Sequence, residues 1–313
     1  MEDIWIIGAG EMTIEYVKVL QGLNKPFIVI GRGEKSAAKF EDVTNIKVIR
    51  GGVENFLIQK PPIPKHAIVV VRTDQLSAVT ICLLNYGIKN ILVEKPGALI
   101  KENLIEMNNI AEQLAAKVVI GYNRRFYSST EKAKQIIEKD GGVTSFHFEF
   151  TEWGHIIEKL DAPANILEKW FLANSTHVVD LAFYLGGIPK QISCFTDGKT
   201  KWHKSASVFA GAGVTENGAL FSYQANWEAP GRWSVEILTK KHRLIFRPME
   251  ALKIQNLNSI KIDDVEINNE LDLKYKPGLL LQTKAFLENE TFKLKTLKEQ
   301  EKDFELYYKI ANY

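Results

Sequence analysis

Apolar positions in the first 120 residues fall into short runs separated by stretches with helical spacing. Ile4-Trp5-Ile6-Ile7 reads as a strand and runs directly into Gly8-Ala9-Gly10. Between Met12 and Leu20 the apolar residues Ile14, Val17 and Leu20 share one side of a helix. Further strands are predicted at 27–30, 46–49, 67–71, 91–93 and 118–120, with helices over 76–86 and 101–116 between the later ones. Strands alternating with helices imply right-handed βαβ units and a parallel sheet. Six such strands suffice for a dinucleotide-binding domain.

After Gly121 the pattern changes. A helix is predicted over 130–139, then alternating strands at 143–151, 191–195, 207–211, 219–227, 233–239, 243–246 and 251–255. Strand following strand through short turns predicts a largely antiparallel sheet. Helical spacing returns at 278–288 and 298–310. A chain of 313 residues exceeds the usual size of one core, so two domains are expected. They are 1–121, of α/β class, and 122–313, an α+β domain whose terminal helices pack on either one.

Composition narrows the function classes. A net charge of +2 offers no electrostatic argument for nucleic acid or an anionic membrane. Cys82 and Cys194 lie far apart without metal-ligand spacing, which suits a reducing compartment and predicts no metal. Two acids follow Met1 and the first apolar run is only a strand's length, so no signal peptide is predicted. No apolar stretch approaches the ~20 residues of a membrane span. The expectation is a soluble, cytoplasmic protein.

Three places carry candidate chemistry. Gly8-Ala9-Gly10 sits between a strand and a helix, where the first glycine allows a tight turn and the second lets backbone approach a pyrophosphate at the helix N-terminus. The third fingerprint position is Thr13 rather than glycine. At the tip of the second strand, Gly31-Arg32-Gly33 stands where an acid would bind the ribose 2′-hydroxyl of NAD. Arg32 would instead attract a 2′-phosphate, which favours NADP(H) over NAD(H). The alternatives are that Arg32 stacks on adenine or that Glu34 reaches the ribose.

The second place is Glu94-Lys95-Pro96, which ends the apolar run 91–93. Ligands bind outside the carboxyl ends of strands in doubly wound sheets, so Lys95 would point at a bound molecule. The third is the segment 170–181. In a helix from Ser175, the residues His177, Asp180 and Tyr184 share a face at i, i+3 and i+7. Asn174, Ser175 or Thr176 would cap that helix. His177 would face the substrate as a proton donor or hydrogen-bond partner, with Asp180 as its orienter or as a cap on a neighbouring element, or the pair is structural.

Together these residues resemble the Gfo/Idh/MocA oxidoreductases over nearly the whole chain. The resemblance rests on Gly8-Ala9-Gly10-Glu11-Met12, Glu94-Lys95-Pro96-Gly97, Gly121-Tyr122-Asn123-Arg124-Arg125-Phe126, His177-Val178-Val179-Asp180 and the segment from Gly278 to Leu287. It implies a Rossmann dinucleotide-binding domain followed by an open-faced, mostly antiparallel sheet. Members commonly associate through that sheet, so a homodimer or homotetramer is implied. The implied activity is NAD(P)-dependent hydride transfer between nicotinamide and a carbinol or keto carbon of a sugar, cyclitol or nucleotide-sugar-like substrate.

On this resemblance the cofactor would be held by Gly8, Ala9, Gly10, Glu11, Met12, Gly31, Arg32, Thr73, Glu94, Lys95 and Pro96. Lys95, Asn123, Arg124, Trp170, Asn174 and His177 would hold the substrate. Lys95 would serve in proton transfer, and His177 matches the family's catalytic histidine. Arg124 or Arg125 would hold a substrate carboxylate or phosphate. Two departures matter. Ala173 stands where many members have an aspartate, leaving Asn174 to take over a hydroxyl contact, and Leu76 stands where relatives often have a histidine. The fold also admits an NAD-dependent glycoside hydrolase, or a non-catalytic NADP-binding sensor or scaffold protein. The sequence leaves substrate and reaction direction open.

Overall fold

Why the chain alternates as it does is visible in its first strand. The computed structural model, which describes residues 4–313, buries all four residues of β1 (Ile4–Ile7) between two parallel neighbours. A strand covered on both faces needs a continuous apolar run, not an alternating one. α1 (Glu11–Gly22), β2 (Phe27–Ile30), α2 (Glu34–Thr44), β3 (Val48–Ile49) and α3 (Gly52–Ile58) follow. Then come β4 (His66–Val69), α4 (Leu76–Tyr86), β5 (Asn90–Glu94), α5 (Lys101–Gln113) and β6 (Lys117–Gly121).

The rest of the chain runs through α6 (Ser128–Lys139), β7 (Ser145–Glu149), α7 (Gly154–Ile157), α8 (Ala164–Leu167) and α9 (Thr176–Gly186). Six strands follow: β8 (Pro189–Asp197), β9 (Val208–Thr215), β10 (Leu220–Asn226), β11 (Ser234–Leu238), β12 (His242–Phe246) and β13 (Lys253–Asn256). β14 (Ile262–Asp264), α10 (Glu270–Lys274), α11 (Leu279–Leu287), β15 (Lys295–Thr296) and α12 (Leu297–Ala311) complete it.

The first sheet has the order β15-β6-β5-β4-β1-β2-β3, with every pair parallel except β15–β6. Reading outward from β1, this is the two-sided order of a dinucleotide-binding sheet, with a short antiparallel strand added at one edge. The second sheet has the order β14-β13-β12-β11-β7-β10-β9-β8 and is antiparallel except where β10 meets β7. Its strands alternate as a half-covered sheet requires: Phe146 and Phe148 of β7 and Phe221 and Tyr223 of β10 are buried, while Leu220, Ser222 and Gln224 are exposed. α9 packs on the buried face, where Phe183 meets the rings of Phe146, Phe148 and Phe221. The fold class is therefore the expected one.

By contacts the chain divides into two compact units, Met1–Asn123 with Lys274–Phe304 and Arg124–Leu273 with Glu305–Tyr313. Each unit takes its last piece from the end of the chain. In the first, Gln282 of α11 donates to the Tyr16 hydroxyl (3.1 Å) and Gln300 of α12 donates to the Pro96 carbonyl (2.8 Å) and the Tyr122 hydroxyl (3.1 Å). In the second, the Tyr313 ring packs against Phe171 and its hydroxyl lies 2.7 Å from His203 Nε2. His203 Nδ1 lies 2.6 Å from the Ala206 carbonyl. A carbonyl only accepts, so Nδ1 carries the proton and Nε2 accepts from Tyr313.

The start of α9 differs from the expected one. No side chain caps it; a π-helical turn, Phe171–Ser175, runs straight into Thr176, and Ser175 has helical backbone angles. Asn174 and Ser175 therefore cannot serve as caps, because the backbone ahead of them is already wound. Two helices with sparse apolar positions escaped the periodicity. α2 buries only Ala37 and Phe40, and α3 only Gly52, Val53 and Phe56.

Candidate functional site

In the first unit, Gly8, Ala9 and Gly10 line a cavity of about 480 Å³ together with Arg32, Ser36 and Glu54. It lies at the carboxyl ends of β1, β2 and β4. Gly8 has φ +122°, and a Cβ there would stand 2.2 Å from the Val70 carbonyl oxygen, so β1 and the β4 end could not approach. At Gly10, the residue before α1, a Cβ would meet nothing within 4 Å. One glycine thus serves packing, and the other leaves open space at a helix N-terminus, where anions are favoured. This cradle fits the pyrophosphate and adenosine of a dinucleotide.

Arg32 reaches the cavity from the end of β2 and is hydrogen-bonded to Glu54 of α3. That bond holds the Glu54 carboxyl below its ordinary value. Gly52, φ +83°, lies against Arg32: a Cβ there would stand 3.2 Å from Arg32 Nε. Sequence reasoning found Arg32 and missed Glu54 and Ser36. The pair Gly51-Gly52, which forces the turn into α3, was the available signal. Of the other cofactor candidates, Gly31 packs between Val48 and Ala9, where a Cβ would meet carbons at 2.9 and 3.0 Å. Glu11 opens α1 and pairs with Lys39 at 3.1 Å, Met12 follows it, and Thr73 begins a single 3-10 turn after β4.

Glu94-Lys95-Pro96 forms the turn that ends β5, with a cis bond between Lys95 and Pro96. Gly97 follows at φ +84°, where a Cβ would stand 2.8 Å from Ile120 Cδ1. Glu94 accepts a hydrogen bond from Tyr16 (2.7 Å), and burial pushes its carboxyl up. Behind Lys95 there is thus a chain of hydrogen bonds from Gln282 to Tyr16 to Glu94. The Asn123 amide donates to the Pro277 carbonyl (2.9 Å).

In the second unit α9 presents the predicted face. Both oxygens of Asp180 accept from Arg125, at 2.7 and 2.8 Å, and the Arg125 guanidinium lies 4.7 Å from the Tyr184 ring centre. Both oxygens of the Asp180 carboxylate thus face the Arg125 guanidinium, a partner that the sequence reading assigned to neither residue. His177 is buried, its ring 6.2 Å from that of Trp233.

Asn174 is likewise turned to protein. Its amide donates to Glu152 (2.9 Å), and the Ser175 hydroxyl donates to the same oxygen (2.8 Å). Arg232 meets the other Glu152 oxygen at 3.3 Å. The Arg232 guanidinium lies 4.9 Å from the Trp153 ring and 4.6 Å from Trp233. Arg124 lies 4.9 Å from Trp233 and 5.8 Å from Tyr127. Burial pulls the Arg124 guanidinium down and pushes the Tyr127 hydroxyl up to about 12. Trp170, just before the π turn, sets its ring edge-on to Trp202. Glu152, Arg232 and Trp233 escaped the sequence reading because they lie at strand ends, where neither period applies. Among the described residues no three His, Cys, Asp or Glu side chains cluster as a metal site, and no helix is long and apolar enough to cross a membrane.

No family model and no curated protein matches this chain. Solved structures do, along its full length. An oxidoreductase from Agrobacterium radiobacter, in complex with NAD+, L-tartaric acid and magnesium, is 13% identical with a TM-score of 0.78, covering 100% of this chain and 97% of that one. Levoglucosan dehydrogenase in complex with NADH is 15% identical with a TM-score of 0.79, covering 99% and 95%. The WlbA dehydrogenase from Bordetella pertussis, in complex with NADH and UDP-GlcNAcA, is 14% identical with a TM-score of 0.75, covering 99% and 95%. The chain shares the fold of dehydrogenases that bind nicotinamide cofactors and sugars or nucleotide sugars.

Proposed function

We propose that this protein is an NAD(P)-dependent oxidoreductase acting on a carbinol or keto carbon of a sugar-like substrate. The observation that carries this reading is the cavity at the strand ends, with Gly10 leaving space at a helix N-terminus and Arg32 at its rim. The similar structures hold NAD+ or NADH, and two of them act on or hold a sugar or nucleotide sugar, which supports the reading. The first unit binds the cofactor and the second the substrate. NADP(H) is favoured over NAD(H), because the turn after β2 carries Arg32 where an acid would stand for NAD, and the acid paired with Arg32, Glu54, comes from α3.

The nicotinamide, when bound, supplies the hydride chemistry. Lys95 transfers the proton that accompanies it, giving it to the developing alkoxide in reduction and taking it in oxidation. The turn that carries Lys95 is fixed by Gln300 on the Pro96 carbonyl and by Tyr16 on Glu94. His177 hydrogen-bonds a substrate oxygen. Association through the exposed face of the second sheet, where Phe195 and Leu220 stand out, is part of the same proposal.

Lys95→Ala tests it. Turnover should fall by about 10²–10⁴, the usual worth of a positioned acid or base, while NADP(H) affinity stays measurable. Steady-state rates with a sugar panel, beside cofactor titration, read both. Undiminished turnover in the variant would remove Lys95 from the chemistry.

A further inference from the structure

The second unit contains a cavity that the proposed reaction leaves unused. It holds about 690 Å³, in the range of small-molecule sites, and three indoles line it: Trp153, Trp202 and Trp227. Trp202 and Trp227 are buried and stacked, their ring centres 5.5 Å apart and their planes within 6° of parallel. Trp153 is placed differently. The Arg232 guanidinium lies over its ring at 4.9 Å, yet 49% of the residue stays exposed. An indole standing in a cavity offers a ligand a flat apolar face.

The walls of this cavity are fixed before any ligand arrives. A Cβ at Gly154 would stand 2.5 Å from the Trp227 carbonyl oxygen, so glycine is what lets the start of α7 meet the chain leaving β10. On the facing wall, the Thr200 N–H donates to the His203 carbonyl (3.0 Å), and the Thr200 hydroxyl accepts from the His203 N–H (2.9 Å). The Ser207 hydroxyl donates to Glu228. A preformed wall loses little freedom on binding. Its charged groups are Lys199, Lys201, Glu158 and Glu228, two of each sign, so they cancel and select no anion. Lys199, Lys201 and the Glu158 carboxylate make no hydrogen bond or ion pair with other described residues. Ammonium groups only donate and carboxylates only accept, whereas a hydroxyl does both. A neutral ring with one flat apolar face and several hydroxyls at its edge matches all of this.

We propose that this cavity is a second sugar subsite, so that the substrate is a glycoside of two or more linked neutral rings, one presented to His177 and another laid on Trp153. This rests on the sugar-substrate role proposed above for the second unit. The two places are connected through two side chains only. His177 lies 6.2 Å from Trp233, ring to ring, and Arg232 spans from Trp233 (4.6 Å) to Trp153 (4.9 Å). A single free sugar at His177 leaves the cavity empty. A linked one fills it without any change of the walls.

The test is binding to the full chain, read by calorimetry with NADPH present. The probes are glucose, galactose and mannose, each beside its neutral di- and trisaccharides in both anomeric linkages, with UDP-glucose as the anionic comparison. In at least one series the longer sugar should bind about 10- to 100-fold tighter than its monosaccharide, the worth of one hydrogen bond to a charged group. Trp153→Ala should lower that gain at least about fivefold by removing the flat face. The Glu158 carboxylate is exposed and unpartnered, so Glu158→Ala leaves the fold intact and keeps the test decisive should Trp153→Ala not fold. It should lower the same gain at least about threefold.

Equal affinity along every series overturns the proposal, as does a gain that survives both substitutions. A gain shown by UDP-glucose and by no neutral oligosaccharide overturns it too, because the occupant is then a nucleotide. The dehydrogenase reading fails separately. Length-dependent binding without any nicotinamide reduction keeps the subsite and removes the reaction. Turnover of monosaccharides with no preference for longer sugars does the reverse.

Discussion

Arg32 and Glu54 share the rim of the nucleotide cavity, so cofactor preference depends on two side chains rather than on one. Glu54 competes with a 2′-phosphate for the same guanidinium. The pair is exposed, and exposed pairs contribute up to about 1 kcal/mol. Glu54→Gln should therefore tighten NADP+ binding up to about fivefold with little gain for NAD+, as read by fluorescence titration of both. His203 makes a second case at this scale. Burial pulls its imidazole down to about 4, against an ordinary value of 6.5. Below 6.5 the unfolded chain takes up a proton that folded His203 refuses, so stability falls as pH drops from 6.5 towards 4. The loss is on the order of 3 kcal/mol by pH 4. Urea midpoints at pH 7.5 and 5 should differ by more in the wild type than in His203→Gln.

Elements are where the sequence spoke most clearly. Buried parallel strands and α4, whose apolar residues recur at helical spacing, could be placed to within a residue or two at most ends. Lys95 could be placed at a strand end for the same reason. The partners of the candidate site residues could not. Asn174 is polar and next to Ala173, but only the structure shows its amide spent on Glu152. Gln282 and Gln300 lie in amphipathic helices, where nothing in the periodicity separates a solvated glutamine from one that clamps a loop. Both are fully buried. Gln300→Ala should uncover the Pro96 carbonyl and the Tyr122 hydroxyl, lowering stability by about 1–3 kcal/mol. Differential scanning calorimetry with and without NADP+ reads this. A variant as stable as wild type would show that the clamp contributes nothing.

For the whole molecule, the decisive fact is that neither unit is a single stretch of chain. The first needs 274–304, which bring both glutamines, β15 along the edge of β6, and Lys295, whose ammonium pairs with Asp303 and lies 5.3 Å from the Tyr122 ring. A chain cut after residue 273 keeps every strand from β1 to β6 and all residues of the nucleotide cavity. It should nonetheless bind NADP+ at least tenfold more weakly, because the turn holding Lys95 loses its clamps and the sheet edge its cover. Equal affinity in the cut chain would show that the cavity stands by itself.

The same arrangement sets a clock on synthesis. Residues 1–123 leave the ribosome first, but the piece that finishes their unit follows only after 124–273, roughly 8–30 s later at ordinary elongation rates. During that interval β6 has an unpaired edge and the Glu94-Lys95-Pro96 turn has no glutamine beside it. The second unit waits longer still, for Glu305–Tyr313. The half that is made first is thus not completed first in any lasting sense, and the last forty residues, synthesised in a few seconds, close both units almost together.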